Sequence, residues 1–281
     1  MSRGDASQVN RLPAGMLAAG CLLLLLAAAA MAPEHLPDVN PDLRYAQPSA
    51  LPPFGADAAG RSLLHYATQG ARVAVVPAIV AGLVVGVLAV IGGLLRAMGL
   101  RRIDGWIQGL GEIVGALPRM VVVLVIALIL PRDARVLLPL ALTWALLAAP
   151  GAMDEAAAVA ERLGGARFVE ALRAHGYSAP RIFLVHVVAL NLRPVVVRQM
   201  AEVTMQVIFL EIALSYLALA QDQPSFTHPD SLKSWADLLN LGYTWLVFDD
   251  VQTGHALALG VALIGIVSVM ALATGRAARA R

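Results

Sequence analysis

Polar side chains interrupt the longest apolar stretch in the second half of the chain, and their spacing places them on defined helical faces. Gln199, Glu202 and Gln206 are separated by three and four residues, so on a helix they form one stripe. Further polar residues fall on nearly the opposite face and form a second stripe: Thr204, Glu211 and Ser215. Because ionisable groups are costly in apolar surroundings, such a helix needs a polar neighbour on at least one side.

The first stripe allows two interpretations. Gln199, Glu202 and Gln206 either line a path that accommodates amide or amine groups of a solute, or they hydrogen-bond neighbouring helices. For Glu211 in the second stripe we expect a structural role near the outer gate of such a path. Both interpretations of the first stripe stay open at this point.

A second pair of charges interrupts an apolar segment earlier in the chain. Glu112 and Arg119 are seven residues apart and would share a helical face, with Pro118 loosening the helix between them. They are too distant along a helix to pair directly, so each is predicted to meet a charge on another helix. Alternatively, Arg119 extends towards a nearby membrane boundary. Arg119 joins the first stripe as a path candidate.

The spacings typical of catalysis, metal binding and nucleotide binding are absent from the sequence. The single cysteine, Cys21, excludes an internal disulfide and a multi-cysteine metal site, and the six histidines lack ligand spacing. No Gly-x-Ser-x-Gly motif occurs, and the only lysine, Lys233, follows no glycine-rich phosphate loop. We therefore expect a protein that is not an enzyme and that holds no metal or cofactor. A net charge of +2 makes nucleic acid an unexpected partner.

The composition predicts that the elements carrying these residues cross a membrane. Hydrophobic residues make up 59% of the 281, charged residues only 14%, and the mean hydropathy is +0.73. We expect an all-α, polytopic fold with six transmembrane helices. The candidate spans are Ala14–Ala32, Val73–Leu95, Trp106–Leu130, Val136–Ala149, Pro194–Ala220 and Gly254–Thr274.

The distribution of basic residues predicts the orientation. If the first span is retained rather than removed as a secretory signal, and the N-terminus is cytoplasmic, 14 of the 21 Lys and Arg residues lie inside and six outside. Both termini are then cytoplasmic. The loop 154–193 also faces the cytoplasm, and the two Pro-rich, acidic segments after spans one and five lie outside as ordered loops with short helices.

In the cytoplasmic loop, the sequence predicts short helices that are interrupted by Gly164, Gly165 and Gly176, with Pro180 starting a new helix. These pieces are too small to form a core of their own, so they need a partner surface. The alternative is a simple connector on the membrane surface.

The stretch "EALRAHG" in this loop resembles the EAA loop of the membrane subunits of ATP-binding-cassette (ABC) importers. Other blocks, in matching order from Phe54 to Leu239, resemble the peptide/nickel branch of that family: "PPFGADAAGRSLLHYATQGARVAV", "IVGALPRMVVVLVIAL", "APG" and "LEIALSYLALAQDQP" with "SWADLL". The resemblance implies a type I importer permease fold. Residues 1–53 would hold the first transmembrane helix and an external loop, and residues 54–281 the permease core.

The resemblance also implies partners and roles. The residues Glu170, Ala171, Leu172, His175 and Gly176 would form coupling helices that dock on a cytoplasmic ATPase. ATP and Mg would bind in two separate ATPase subunits or domains. A second homologous permease and an extracytoplasmic binding protein would complete an importer in a bacterial inner membrane, for di- or oligopeptides or related small solutes.

Two further expectations follow from the residues themselves. An ion- or proton-coupled secondary transporter is the alternative function class, because it uses intramembrane carboxylates such as Glu202 and discontinuous helices such as one broken at Pro118. Close helix packing is predicted where glycines lie four residues apart: Gly82 with Gly86, Gly105 with Gly109, and Gly111 with Gly115.

Overall fold

The computed structural model describes residues 11–97, 101–131, 134, 136–164, 167–178, 181–220, 227, 232–247 and 254–279. In these residues the chain is helical, with no strand beyond an isolated bridge between Ala56 and Ser62. The helices are α1 (Arg11–Ala30), α2 (Leu63–Gly70), α3 (Val76–Ala97), α4 (Arg101–Gly115), α5 (Arg119–Ile129), α6 (Leu137–Gly164), α7 (Arg167–Ala174), α8 (Arg193–Ala220), α9 (Trp235–Val247) and α10 (His255–Arg279).

Two π-helical segments join some of these elements into longer rods. Residues Ala71–Val75 connect α2 to α3, and residues Ile182–Leu192 lead directly into α8. A short 3-10 turn, Pro41–Leu43, lies in the segment between α1 and α2.

Helices form at all six predicted spans, and the protein is a helical, membrane-embedded chain. Among the described residues, three helices are long and apolar enough to cross a membrane: Leu63–Arg96, Leu137–Arg162 and Arg193–Ala218. The pair α4 and α5 makes a fourth if it counts as one span. The first and last predicted spans contain shorter apolar helices, Gly20–Ala30 and His255–Met270.

The third predicted span is broken rather than continuous. α4 ends at Gly115, Pro118 adopts an extended conformation with ψ of 106°, and α5 leaves at an angle of 79° to α4. Proline has no N–H to donate and its ring clashes with the preceding turn, so the helix stops before it. The prediction that Glu112 and Arg119 share a helical face is therefore wrong.

The bundle is built on α3, which packs along α6 and also against α8. One predicted glycine pair makes the second contact possible, because a Cβ on Gly82 would lie 2.8 Å from Met200 O, and one on Gly86 would lie 2.7 Å from the Met200 side chain. Gly111 allows α4 to approach Pro150 of α6. Gly105 and Gly109 have nothing within 4 Å and do not form a packing contact.

The two ends of the bundle differ in structure. One end, called the α9 end, holds residues 31–62 and α9. There the Asp57 carboxylate accepts hydrogen bonds from the N–H groups of Ala59 and Arg61 and from the Tyr66 hydroxyl, at 2.6 to 2.8 Å. α9 begins with a reciprocal cap between Ser234 and Asp237. The other end, called the α7 end, carries the connection between α6 and α8.

α6 is longer than predicted. The apolar stretch suggested a span ending at Ala149, but the helix continues through Pro150 to Gly164. The first part of the predicted loop 154–193 is thus the last turns of α6, and its final part, from Arg181, belongs to the rod that becomes α8. Only a short segment containing α7 lies between the two long helices.

Candidate functional site

The α7 end is formed by a short helix that a glycine turn closes. The N–H of Gly176 donates to Arg173 O at 3.0 Å, and the N–H of Tyr177 donates to Leu172 O at 3.1 Å. This pair of bonds is a Schellman motif, which requires a residue with positive φ just after the helix. Gly176 has a φ of 81°, a conformation that costs other residues about 1–2 kcal/mol. The predicted break at Gly176 is confirmed.

The five residues predicted to contact a partner lie together on this turn. Glu170, Ala171, His175 and Gly176 are exposed, and Leu172 is half-buried. A Cβ added to Gly176 would meet nothing within 4 Å. The turn therefore presents an open polar surface, whose backbone is nevertheless ordered by its own hydrogen bonds.

Tyr177 fixes the turn against the next helix, and the sequence analysis missed it. The Arg181 guanidinium lies 5.0 Å from the centre of the Tyr177 ring, and the His186 ring packs edge-on at 5.8 Å. A Schellman motif indicates a contact of this residue with its own helix, so the contacts with Arg181 and His186 could not be predicted from the turn alone.

Charged residues from three helices meet where α7 joins the bundle, and we call them the charge cluster: Arg96, Asp154, Glu155, Glu161 and Arg198. Arg96 of α3 lies 3.8 Å from Asp154 and 3.9 Å from Glu161, both on α6. Arg198 of α8 forms an ion pair with Glu155 of α6, and Gln199 donates to the same carboxylate. The cluster holds the end of α6 against the beginning of α8. No local pattern predicts it, because the partners are more than 40 residues apart.

The first polar stripe runs along the side of α8 that faces α6. Gln206 accepts a hydrogen bond from the Trp144 indole N–H at 2.9 Å and donates to Glu202 at 3.2 Å. Gln199 donates to Glu155. Two of the three residues thus make the interhelical hydrogen bonds of the second interpretation, and Trp144 is a partner that the sequence did not indicate.

Glu202 differs from its neighbours because its side chain is exposed. It lies inside an apolar helix long enough to cross a membrane, and large exposed side chains, among them Phe209 of α8 and Leu146 of α6, belong to the same two helices. A carboxylate in such a position is costly against lipid. It needs a polar path or a further protein surface beside it.

Arg119 does not join the first stripe. It is the first residue of α5, half-buried, and makes no ion pair among the described residues. The structure therefore gives Arg119 no contact with Gln199, Glu202 or Gln206.

The second stripe is buried inside the bundle. Thr204, Glu211 and Ser215 are at most 7% exposed. The Ser215 hydroxyl donates to Glu211 Oε1 at 3.0 Å and lies 3.2 Å from the Thr227 hydroxyl. The second stripe thus faces the interior of the bundle, and the structural role of Glu211 stays a prediction.

No protein-family model and no curated protein matches the chain. No group of three or more His, Cys, Asp or Glu side chains that could hold a metal occurs in the part of the chain that the structure describes. The α7 turn, the charge cluster and the first stripe are therefore the features that bear on function.

Proposed function

We propose that the chain is the transmembrane permease subunit of an ATP-driven, binding-protein-dependent importer. The observation that carries the proposal is the exposed α7 turn. An ordered polar surface of this kind, which the chain itself leaves uncovered, is what a docking site for another protein requires. The resemblance of Glu170–Gly176 to the EAA loop supports a cytoplasmic ATPase as that protein.

The α7 turn lies between two long helices, α6 and α8, so a partner bound to the turn could transmit force to both helices. α7 sits between α6 and the rod that becomes α8, and Glu155 with Arg198 ties these two helices together. In our proposal, a push on α7 moves both helices together. In our proposal, ATP-driven closure of two ATPase subunits shifts the bundle between inward-facing and outward-facing states, with ATP and Mg bound only in those subunits.

The exposed Glu202 supports the second half of the proposal, which is a shared translocation path. A second, homologous permease would cover the face of α6 and α8 that carries Glu202, and the first stripe would line the path between the two subunits. Arg119 remains a path candidate by sequence alone. Peptides or related small solutes are the proposed cargo, because amide groups hydrogen-bond with Gln and Glu side chains.

The arrangement in the membrane completes the proposal. All six apolar helical segments would cross a bacterial inner membrane, with the broken α4–α5 pair as the third span and both termini in the cytoplasm. The α9 end would then face outwards, towards an extracytoplasmic binding protein.

Site-directed crosslinking in native membranes tests the docking surface. Ala171→Cys and His175→Cys, each in a Cys21→Ser background, place single thiols on the exposed turn. We expect each to crosslink to an ATPase subunit, with a yield that changes when ATP is added. Asp38→Cys is the matched control, because it is exposed in the segment between α1 and α2 at the α9 end.

Failure of both turn positions to reach an ATPase, with Asp38→Cys giving the same pattern, would contradict the proposal. Uptake that continues without ATP but stops when the proton gradient is dissipated would instead favour a secondary transporter, in which the exposed Glu202 carries the proton.

A further inference from the structure

A cavity of about 300 Å³ lies at the α9 end, near the start of the rod formed by α2, the π segment Ala71–Val75 and α3. Its walls come from the segment after α1, from the junction of α2 with the π segment, and from the residues before α9. Three ionisable side chains line it: Glu34, His35 and Arg72. The volume is at the lower end of the range for ligand sites, which suits a molecule of amino-acid size.

One wall of the cavity is held in place by a buried amide. Gln69 is 1% exposed, and its side chain donates to Pro33 O at 3.2 Å and accepts from the Lys233 N–H at 3.1 Å. These two bonds join three segments that are far apart in the sequence. The backbone next to Glu34 and Arg72 is therefore held in place, whereas the Glu34 and Arg72 side chains are themselves exposed.

The charges in the cavity are opposite but not paired with each other. Among the described residues, Arg72 makes no ion pair with Glu34 or with any other carboxylate. A guanidinium is suited to a carboxylate, and a carboxylate to an ammonium group. A ligand that carries both groups would satisfy both side chains at once, with His35 as a further hydrogen-bond partner.

We infer that this cavity is a binding site for a small zwitterion that carries a carboxylate and an ammonium group. Arg72 binds the carboxylate and Glu34 binds the ammonium group. The site lies at the opposite end of the α2–α3 rod from Arg96 of the charge cluster, 24 residues or about 36 Å away. It is thus separate from the α7 turn, and the inference does not rest on the proposed importer function.

Titration calorimetry on the full chain in lipid nanodiscs tests the site with three probes of nearly equal shape. L-leucine carries both charges, 4-methylpentanoate lacks the ammonium group, and 3-methylbutylamine lacks the carboxylate. We expect saturable binding of leucine and at least about tenfold weaker binding of the other two, because each loses one charge-assisted contact. No saturable leucine binding, or equal binding of leucine and 4-methylpentanoate, would overturn the inference.

Matched variants locate the site. Arg72→Gln and Glu34→Gln should each weaken leucine binding about tenfold or more. Arg44→Gln and Asp38→Asn remove charges of the same end that are equally exposed but lie outside the cavity, and they should leave binding unchanged. Gel filtration and the thermal midpoint show whether each variant is folded. If Arg72→Gln does not fold, Glu34→Gln decides, since Glu34 lies on an exposed loop. Unchanged leucine binding in a folded Arg72→Gln or Glu34→Gln protein would refute the site.

Discussion

The two ends of the bundle both depend on glycines with positive φ, but for different reasons. At the α9 end, a Cβ on Gly60 would lie 1.7 Å from Asn40 O, and one on Gly55 would lie 2.4 Å from Ala46 O. At the α7 end, Gly176 has open space around it. The α9-end glycines are required by both backbone conformation and packing, whereas Gly176 is required by conformation alone. The segment around Gly55 and Gly60 packs against its own backbone, whereas the turn at Gly176 leaves its surface free.

Adding a single methyl group to a glycine should therefore destabilise the protein more at the α9 end than at the α7 end. Gly60→Ala forces a methyl group into backbone atoms of Asn40 and adds the cost of a positive φ, which together destabilise by about 3 kcal/mol or more. We expect a large fall in the thermal midpoint in detergent, or no folded protein. Gly105→Ala is the control, because that helical glycine has open space. A Gly60→Ala protein as stable as the parent would contradict the packing account.

A substitution at the α7 end should impair function more than stability. Gly176→Ala adds only the cost of the turn conformation, about 1–2 kcal/mol, since no atom blocks the methyl group. We expect the bundle to remain folded while ATP-dependent uptake by the assembled transporter falls markedly. Uptake equal to that of the parent, at equal amounts in the membrane, would show that the geometry of the turn does not matter for coupling.

The charge cluster should show a smaller effect on stability. Arg198→Met and Glu155→Gln each remove one partner of a partly exposed ion pair, which is worth about 1 kcal/mol or less. A double-mutant cycle, read from unfolding midpoints, should give a favourable coupling between the two residues. Asp154→Asn with Arg198→Met is the matched control, because Asp154 pairs with Arg96 instead. A coupling energy no larger than in the control would show that Glu155 and Arg198 do not hold α6 against α8.

Features that depend on neighbours in the chain could be predicted from the sequence. The helical stretches, the two stripes of α8 and the break at Gly176 follow from periodicity and from the conformational range of glycine. The size of the Pro118 bend and the length of α6 could not be predicted, because tertiary packing decides whether a helix continues past a proline. Pro150 is tolerated inside α6, whereas Pro118 ends a helix.

The sequence by itself determined that the chain is helical and membrane-embedded and that its polar residues form stripes, because hydropathy and spacing are local properties. Only the tertiary structure decided which stripe is buried, that Glu155 meets Arg198, and that Glu34 and Arg72 share one cavity. These are contacts between segments far apart in the chain. They depend on how the helices cross, and small residues such as Gly82 permit the close crossings on which such contacts depend.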